Sequence, residues 1–255
     1  MSPIVNKFDY AYSGDSESRT RAIIKLQDGC NYKCSYCTIP LARGNSRSIN
    51  FDNILPQIKE IYNSGFKEIV LTGINLSDYN YNNKNFYDIL KLISKLELSL
   101  RFRISSIEPH IITNELLDII INSKNICPHF HIPLQSGSNT ILSLMGRRYR
   151  RELFASRIET IRKYKGIPVL AHPKYTYLEG EELENFISYL SSIGLGGLEV
   201  YYSKHNKEEE ATYLKLAEKF SLIPTAGSDY HREGDVFGME LKKEYVDRLI
   251  ALKTV

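Results

Sequence analysis

Short apolar segments alternate with amphipathic helical segments along this 255-residue chain, and that alternation constrains the fold more than any other feature. Seven segments have strand character: 22–27, 68–74, 101–107, 129–134, 167–172, 197–202 and 222–227. The helical pattern predicts helices near 51–64 and 86–96, from Thr113 and Asn139 onward, and near 151–164, 179–193, 207–220 and 242–252. These units predict an α/β fold, a TIM-like (βα)7 barrel, whose chemistry lies on the loops after the carboxyl ends of the strands.

The composition is that of an ordinary globular chain, with 42% hydrophobic residues, 25% charged residues and a formal net charge of +3. This balance neither requires nor excludes a nucleic-acid partner, because a local basic patch can exist without a large net charge. No apolar run approaches the roughly 20 residues that span a bilayer, and the first residues contain no apolar signal core. We therefore expect a cytoplasmic protein that does not contact a membrane.

Three of the four cysteines cluster directly after the first predicted strand, at Cys30, Cys34 and Cys37, whereas Cys127 stands far away. Tight clustering in a reducing compartment favours ligation over disulfides. Thiolates bind iron–sulfur clusters, and three of them leave one iron of a four-iron cluster open for substrate chemistry. The alternative is zinc, but structural zinc uses four ligands with paired Cys-x2-Cys units, and the sequence has no second pair.

Four segments, over about residues 15–155, resemble radical SAM enzymes and more closely the tRNA methylthiotransferases that modify threonylcarbamoyladenosine beside the anticodon: 19–48, 71–79, 101–109 and 131–152. The resemblance implies a [4Fe–4S] cluster held by the three clustered cysteines, with S-adenosylmethionine chelated by the open iron. It also implies an electron donor, a 5′-deoxyadenosyl radical and tRNA as the partner. In such enzymes the protein supplies binding, orientation and exclusion of water.

The same resemblance implies five residues at the S-adenosylmethionine site. Tyr36 is expected against the adenine, and Thr72 and Gly73 near the methionine amino group. Ser105 and Gln135 are expected near the methionine and the ribose. Six arginines form two basic groups, for which contact with tRNA phosphates and a solvated surface both stay open: Arg43, Arg47, Arg147, Arg148, Arg150 and Arg151.

After about residue 155 three segments look like the C-terminal half of a PHP domain, a family of metal-dependent phosphoesterases: 167–175, 194–206 and 222–231. This second resemblance implies that His172, Asp229 and His231 bind a divalent metal, Zn, Mn or Fe, which activates water for attack on phosphorus. The resemblance is incomplete, because no His-x-His strand lies near the N-terminus.

Two halves are therefore expected, residues 1–155 with four radical SAM βα units and residues 156–255 with three PHP-like units, joined in one barrel in which the seventh strand pairs with the first. A natural fusion, an engineered chimera and a generated sequence are all open origins. The cysteine-bearing N-terminal domain of the methylthiotransferases has no counterpart, so methylthiolation is expected to be impaired. Three functions follow: a radical SAM transferase of the tRNA methylthiotransferase type, a PHP-type phosphoesterase, or a folded barrel without catalysis.

Overall fold

The computed structural model describes residues 12–13, 21–229, 234, 236 and 238–251. Its strands are β1 (Tyr12–Ser13), β2 (Arg21–Asp28), β3 (Arg47–Ser48), β4 (Glu68–Gly73), β5 (Asn80–Tyr81), β6 (Lys84–Asn85), β7 (Arg101–Ile104), β8 (Val169–Leu170), β9 (Gly197–Tyr202) and β10 (Ile223–Gly227). Its helices are α1 (Ile39–Arg43), α2 (Ile54–Asn63), α3 (Phe86–Ser94), α4 (Asn114–Ile121), α5 (Asn139–Leu144), α6 (Arg151–Lys163), α7 (Gly180–Ser192), α8 (Lys207–Lys219) and α9 (Lys243–Ala251). The chain forms two compact units, Met1–Thr160 and Ile161–Val255.

β2 is the centre of the sheet in the first unit. β4 pairs parallel to β2, β7 pairs parallel to β4, and β1 and β3 pair antiparallel to β2. Alternate residues of β2 point into the core, where Ala22, Ile24 and Leu26 are fully buried. Burying one large aliphatic side chain contributes about 1.5–3 kcal/mol. The strand that leads into the cysteines is therefore firmly held.

Polar caps fix where the crossover helices of this unit begin. At the start of α3, Asn85 and Asp88 exchange side-chain-to-backbone hydrogen bonds in a capping box. At the start of α4, Oγ1 of Thr113 accepts a hydrogen bond from the Leu116 N–H at 3.3 Å, which confirms the predicted cap. Each cap marks the end of the loop that precedes the helix. It therefore fixes the length of the loop between the preceding strand and that helix.

The prediction of a fourth strand over residues 129–134 is wrong. An isolated parallel bridge between Ser106 and His131 marks its place beside β7. The reason lies in Pro128 and Pro133, which precede and interrupt the segment. Proline has no backbone N–H to donate to a ladder, so a regular strand does not propagate through it.

In the second unit, β9 is the central strand and pairs in parallel with both β8 and β10. One apolar core joins these strands to α7 and α8: Leu183, Ile187, Leu198, Val200, Tyr213, Leu216, Ala217 and Leu222. β9 has the predicted bounds, whereas β8 forms over only part of the predicted 167–172. Pro168 and Pro173 flank β8, and His172 has a left-handed backbone with a φ of 34°, so the extended conformation ends early.

The predicted α/β class, with parallel strands joined by helices, is confirmed in both units. Closure of the strands into a single (βα)7 barrel stays a prediction, and so does the division of the chain at residues 155 and 156. Within the described part of the chain, no helix is both long enough and apolar enough to cross a membrane.

Candidate cofactor site

The cysteine loop begins where β2 ends. Gly29 has a φ of 69°, a conformation that residues with side chains rarely adopt. A Cβ at this position would also lie 2.1 Å from the carbonyl oxygen of Asn45. The N–H of Cys30 donates to the carbonyl of Gly44 at 3.1 Å. The loop is thus folded back onto the segment that follows α1, and glycine is the residue that fits at its start.

A buried glutamine supports the loop from inside. Nε2 of Gln27 donates to the Gly29 carbonyl at 2.7 Å and to Oγ of Ser46 at 2.8 Å. Its Oε1 accepts a hydrogen bond from the Asn75 N–H at 2.8 Å. Gln27 is completely buried, and buried polar groups need partners. This one side chain therefore ties the start of the loop to the segment that follows β4.

Asp28, the last residue of β2, binds three cations. Its carboxylate accepts hydrogen bonds from Arg47 at 2.8 Å, Lys25 at 3.0 Å and Arg43 at 3.3 Å. Burial opposes ionisation, but hydrogen bonds from Lys25 and the Gly29 N–H, together with the charge of Arg47, outweigh it and hold the pKa of Asp28 below its usual value. Arg43 and Arg47, for which tRNA phosphate contact was one prediction, are thus engaged by the protein itself.

The segment after α5 docks onto the middle of the cysteine loop. The Met145 carbonyl accepts a hydrogen bond from the Ser35 N–H at 3.1 Å. Gly146, with a φ of 71°, comes so close to the loop that a Cβ would lie 2.9 Å from the Lys33 carbonyl oxygen. Such a close backbone approach is a position for glycine. The conformation between the cysteines is therefore set by residues from a distant part of the sequence.

Arg147 comes next, and its side chain is only 5% exposed. Nη2 donates to both carboxylate oxygens of Glu108, at 2.6 and 2.8 Å. Nη1 donates to the hydroxyl of Tyr36 at 3.1 Å and to Sγ of Cys34 at 3.7 Å. Burial disfavours the guanidinium charge, but Glu108 outweighs burial and raises the pKa of Arg147 above its ordinary value. The side chain thus links the loop after β7 to a predicted cluster ligand.

The remaining predicted phosphate contacts are more accessible. The guanidinium of Arg148 lies 3.8 Å from the centroid of the Tyr32 ring, a cation–π contact. Arg151 pairs with Glu152 at 3.0 Å on the surface of α6, and Arg150 is exposed. For these three arginines, phosphate contact stays a prediction.

The three clustered thiols are partly exposed. Burial raises the pKa of Cys30; the Tyr32 N–H opposes this shift, while Asp78, Cys34 and Cys37 add to it. Among the residues that the structure describes, no three His, Cys, Asp or Glu side chains converge closely enough to hold one metal ion. A four-iron cluster does not need such convergence, because each thiolate binds a different iron. Three thiols on one loop are thus compatible with the predicted cluster.

Four of the residues predicted at the S-adenosylmethionine site lie after neighbouring strands. Tyr36 is on the loop after β2, Thr72 and Gly73 end β4, and Ser105 follows β7. Parallel strands that neighbour each other present their carboxyl ends at one edge. Oγ of Ser105 is buried without a hydrogen-bond partner, which fits a site for a polar ligand. Gln135, with a φ of 64°, lies on the exposed loop before α5.

The second unit has its own group of polar residues on or after β8, β9 and β10. His172 and Asp229, two predicted metal ligands, follow β8 and β10, whereas His231 lies outside the described residues. The His172 N–H donates to Glu199 of β9, and the hydroxyl of Tyr202 donates to Asp229 at 2.8 Å. Burial raises the pKa of Glu199; the hydrogen bond and charge of His172 oppose this, and Asp229 adds to it.

His205 lies beside this group with a defined tautomer. Its Nδ1 is 2.8 Å from the Val200 carbonyl, so Nδ1 carries the proton and donates it. Nε2 is buried without a partner, and the ring packs against Tyr202 and Tyr213 at centroid distances of 5.0 and 4.7 Å. Burial lowers the pKa of His205, because protonation would place a charge among aromatic rings.

Three organising residues were missed from the sequence: Gln27, Glu108 and Glu199. Gln27 and Glu108 lie at or near strand ends and Glu199 lies within β9, and all three fall inside segments that carried a resemblance: 19–48, 101–109 and 194–206. Their positions in the sequence could therefore have marked them as candidates. Their hydrogen-bond partners could not be predicted, because the partners of Gln27 and Glu108 lie far away in the sequence.

Comparison with known proteins gives consistent findings. A profile of the Radical SAM superfamily matches residues 24–190, a range that extends past residue 155. The threonylcarbamoyladenosine tRNA methylthiotransferase MtaB of Bacillus subtilis is 37% identical over 240 residues, covering 92% of this chain and 49% of that protein. A tRNA-2-methylthio-N(6)-dimethylallyladenosine synthase of Thermodesulfovibrio yellowstonii is 34% identical over 183 residues, covering 70% of this chain and 42% of that protein. The chain thus spans about half, or less, of the length of these relatives.

Among solved structures, the radical S-adenosylmethionine methyltransferase TsrM from Kitasatospora setae, determined with cobalamin and a [4Fe–4S] cluster bound, superposes with a TM-score of 0.51 at 14% identity. The match covers 69% of this chain and 35% of that chain. At this level of identity the likeness concerns the fold alone.

Proposed function

The chain belongs to the radical SAM superfamily, and we propose that it binds a [4Fe–4S] cluster through Cys30, Cys34 and Cys37 and cleaves S-adenosylmethionine reductively. The observation that carries this proposal is the cysteine loop itself. It holds three thiols after β2, and hydrogen bonds from both of its flanks fix its conformation. Such preorganisation lowers the cost of binding a cofactor.

Bound together, the two cofactors supply a one-electron cleavage that starts radical chemistry on the substrate, and the residues of the chain bind and orient them. In this proposal Ser105 offers its unpaired hydroxyl to the polar end of S-adenosylmethionine. Thr72 and Gly73 contact the methionine part from the end of β4, Tyr36 lies against the adenine, and Gln135 contacts the ribose.

We further propose a tRNA substrate, with an adenosine beside the anticodon as the modified position. Support for a tRNA adenosine comes from the names of relatives, among them MtaB of Bacillus subtilis, a threonylcarbamoyladenosine tRNA methylthiotransferase. The position beside the anticodon follows from the resemblance of the four sequence segments. The proposal places the protein in the cytoplasm and requires an electron donor for the cluster. Because the chain spans about half of that relative, cleavage of S-adenosylmethionine and transfer of the methylthio group are separate claims that need separate assays.

Anaerobic reconstitution with iron and sulfide tests the cluster. We expect about four irons per chain and an absorbance band near ~400 nm. The triple variant Cys30→Ala, Cys34→Ala, Cys37→Ala should lose both signals. Cys127→Ala is the matched control, because Cys127 is a buried thiol away from the loop, and it should retain both. A folded protein that binds no iron, or equal iron in the triple variant, contradicts the proposal.

A second candidate function belongs to residues 156–255, a PHP-like metal-dependent phosphoesterase. His172 and Asp229, which follow β8 and β10, favour it, and together with His231 they are the expected ligands of a Zn, Mn or Fe ion. Phosphatase activity with added manganese, lost in Asp229→Ala and kept in the surface variant Asp247→Ala, would support this function. No activity in this assay and no iron in the first would leave a folded protein without catalysis.

A further inference from the structure

Arg147 is a buried cation with no role in the proposed chemistry so far. Its 5% exposure and its bidentate pair with Glu108 remove it from the set of residues that could grip an external phosphate. The N–H groups of Nη1 donate to the hydroxyl of Tyr36 and to Sγ of Cys34. The guanidinium therefore reaches the cysteine loop from inside the protein.

We propose that Arg147 tunes the reduction potential of the cluster by donating a hydrogen bond to Sγ of Cys34. This inference rests on the proposed function, because it requires a cluster on the three cysteines. Arg147 is a positioning residue in this role, since it acts on the iron through the thiolate.

The physical basis is charge stabilisation. A cluster that accepts one electron becomes more negative, and hydrogen bonds to its sulfurs together with nearby positive charge set its potential. A guanidinium that donates to the Cys34 thiolate stabilises the reduced state more than the oxidised state. The potential should therefore be higher with Arg147 than without it, and the electron donor should reduce the cluster more easily.

The shape of the guanidinium explains why an arginine occupies this position. Its planar fork presents several N–H donors in fixed directions, so one side chain serves Glu108 on one nitrogen and Tyr36 and Cys34 on the other. Glu108 is itself anchored, because its N–H donates to Oγ of Ser77 at 3.2 Å. The carboxylate fixes the direction of the N–H that points to the sulfur and offsets part of the charge.

The test is an EPR-monitored redox titration of the reconstituted protein, in which dithionite supplies the single electron that takes the cluster from its 2+ to its 1+ state. Arg147→Gln removes the charge and should shift the midpoint to a more negative potential. Glu108→Gln removes the offsetting negative charge and should shift it to a more positive potential. Arg150→Gln, at an exposed arginine three positions away, is the matched control and should leave the midpoint unchanged.

Opposite shifts in the two variants support the inference, since a purely structural role for the ion pair would move both midpoints in one direction or neither. If Arg147→Gln does not retain the cluster, Arg147→Lys replaces it in the titration. Lysine keeps the positive charge but lacks the fork, so its midpoint should lie below that of the unsubstituted protein. Unchanged midpoints at full iron content overturn this inference and leave the proposed function standing. Failure of the unsubstituted protein to bind iron overturns the proposed function instead.

Discussion

The two units handle buried polar groups in different ways. In the first unit, the carboxylates of Asp28, Glu68 and Glu108 are each bound by at least one arginine. In the second unit, Glu199 accepts from a backbone N–H, and Asp229 accepts from a tyrosine hydroxyl. Arginine stays charged at every relevant pH, so the three carboxylates of the first unit keep a charged partner. The two carboxylates of the second unit have uncharged donors in these hydrogen bonds.

The largest expected effect is a loss of stability at Gly29, where a steric clash adds to backbone strain. Gly29→Ala should destabilise the first unit by roughly 3 kcal/mol or more, because a positive φ and a clash with the Asn45 carbonyl act together. Gly180→Ala is the control in the second unit, where φ is also positive but the added Cβ meets nothing within 4 Å. It should cost about 1 kcal/mol. Urea unfolding followed by circular dichroism measures both, and equal losses would contradict the assigned clash.

The next effect concerns the ion pairs of the first unit. Glu68 is 3% exposed and binds Arg103 at 2.9 Å and Arg101 at 2.5 Å. Glu68→Gln should lower the stability of the first unit by about 1.5–3 kcal/mol, the range for hydrogen bonds to charged groups. Hydrogen exchange of the β4 and β7 amides should accelerate, while exchange in β9 stays unchanged. Glu97→Gln, at an exposed glutamate, should have no such effect.

The same carboxylate contributes to the response of the first unit to acid. Burial opposes ionisation of Glu68, but the hydrogen bonds and charges of Arg103 and Arg101 outweigh it, so its folded pKa is lowered. Its contribution is therefore complete above the unfolded value of about 4.3 and is lost as the pH falls through the folded pKa. Protection of β4 against hydrogen exchange should decline below that value, and Glu68→Gln should reduce the decline.

A smaller effect tests the hydrogen bond between Tyr202 and Asp229 in the second unit, whose acceptor is a partly exposed carboxylate. Tyr202→Phe removes the hydroxyl that donates to Asp229 at 2.8 Å and should cost about 0.5–1.5 kcal/mol. Tyr175→Phe removes a more exposed hydroxyl, 3.4 Å from that of Tyr202, and should cost less. Exchange rates in β9 and β10 give both values. A loss as large as that of Glu68→Gln would contradict the distinction between the units.

The smallest effect is the response of the second unit to acid, which depends on His205. The buried His205 has a lowered pKa, so the unfolded chain binds the proton first. Its contribution is complete above the unfolded value of about 6.5 and is lost as the pH falls towards the folded pKa. Protection of β9 should therefore begin to decline as the pH falls below about 6.5. His205→Phe should abolish this decline, and its persistence in that variant would contradict the assignment.

Local patterns in the sequence were enough for much of the fold. β9 forms over its predicted residues because its buried and less buried positions alternate, and α4 begins after Thr113 because a threonine oxygen caps it. The segment 129–134 is apolar but does not form a strand, because Pro128 and Pro133 have no backbone N–H to donate to a ladder. These prolines are visible in the sequence and outweigh its apolar character.

The candidate site was less predictable, since it depends on partners far apart in the chain. The spacing of Cys30, Cys34 and Cys37 is local and could be recognised. The burial of Arg147 could not, because it requires Glu108 to arrive from the end of another strand. The spacing of residues in the sequence can predict which side chains of one loop bind the same ligand. Ion pairs between loops depend on how the strands pack in the sheet, so spacing does not predict them.

The hydrogen bond between Ser35 and Met145 has a consequence for the timing of maturation. The two residues are 110 positions apart, so at about 5–20 residues per second roughly 5–20 s of synthesis separate them on the ribosome. During that interval the three thiols belong to a nascent loop whose docking segment does not yet exist. The loop can adopt its folded conformation only after Gly146 and Arg147 have emerged, and cluster delivery before then would meet a flexible peptide rather than a formed site.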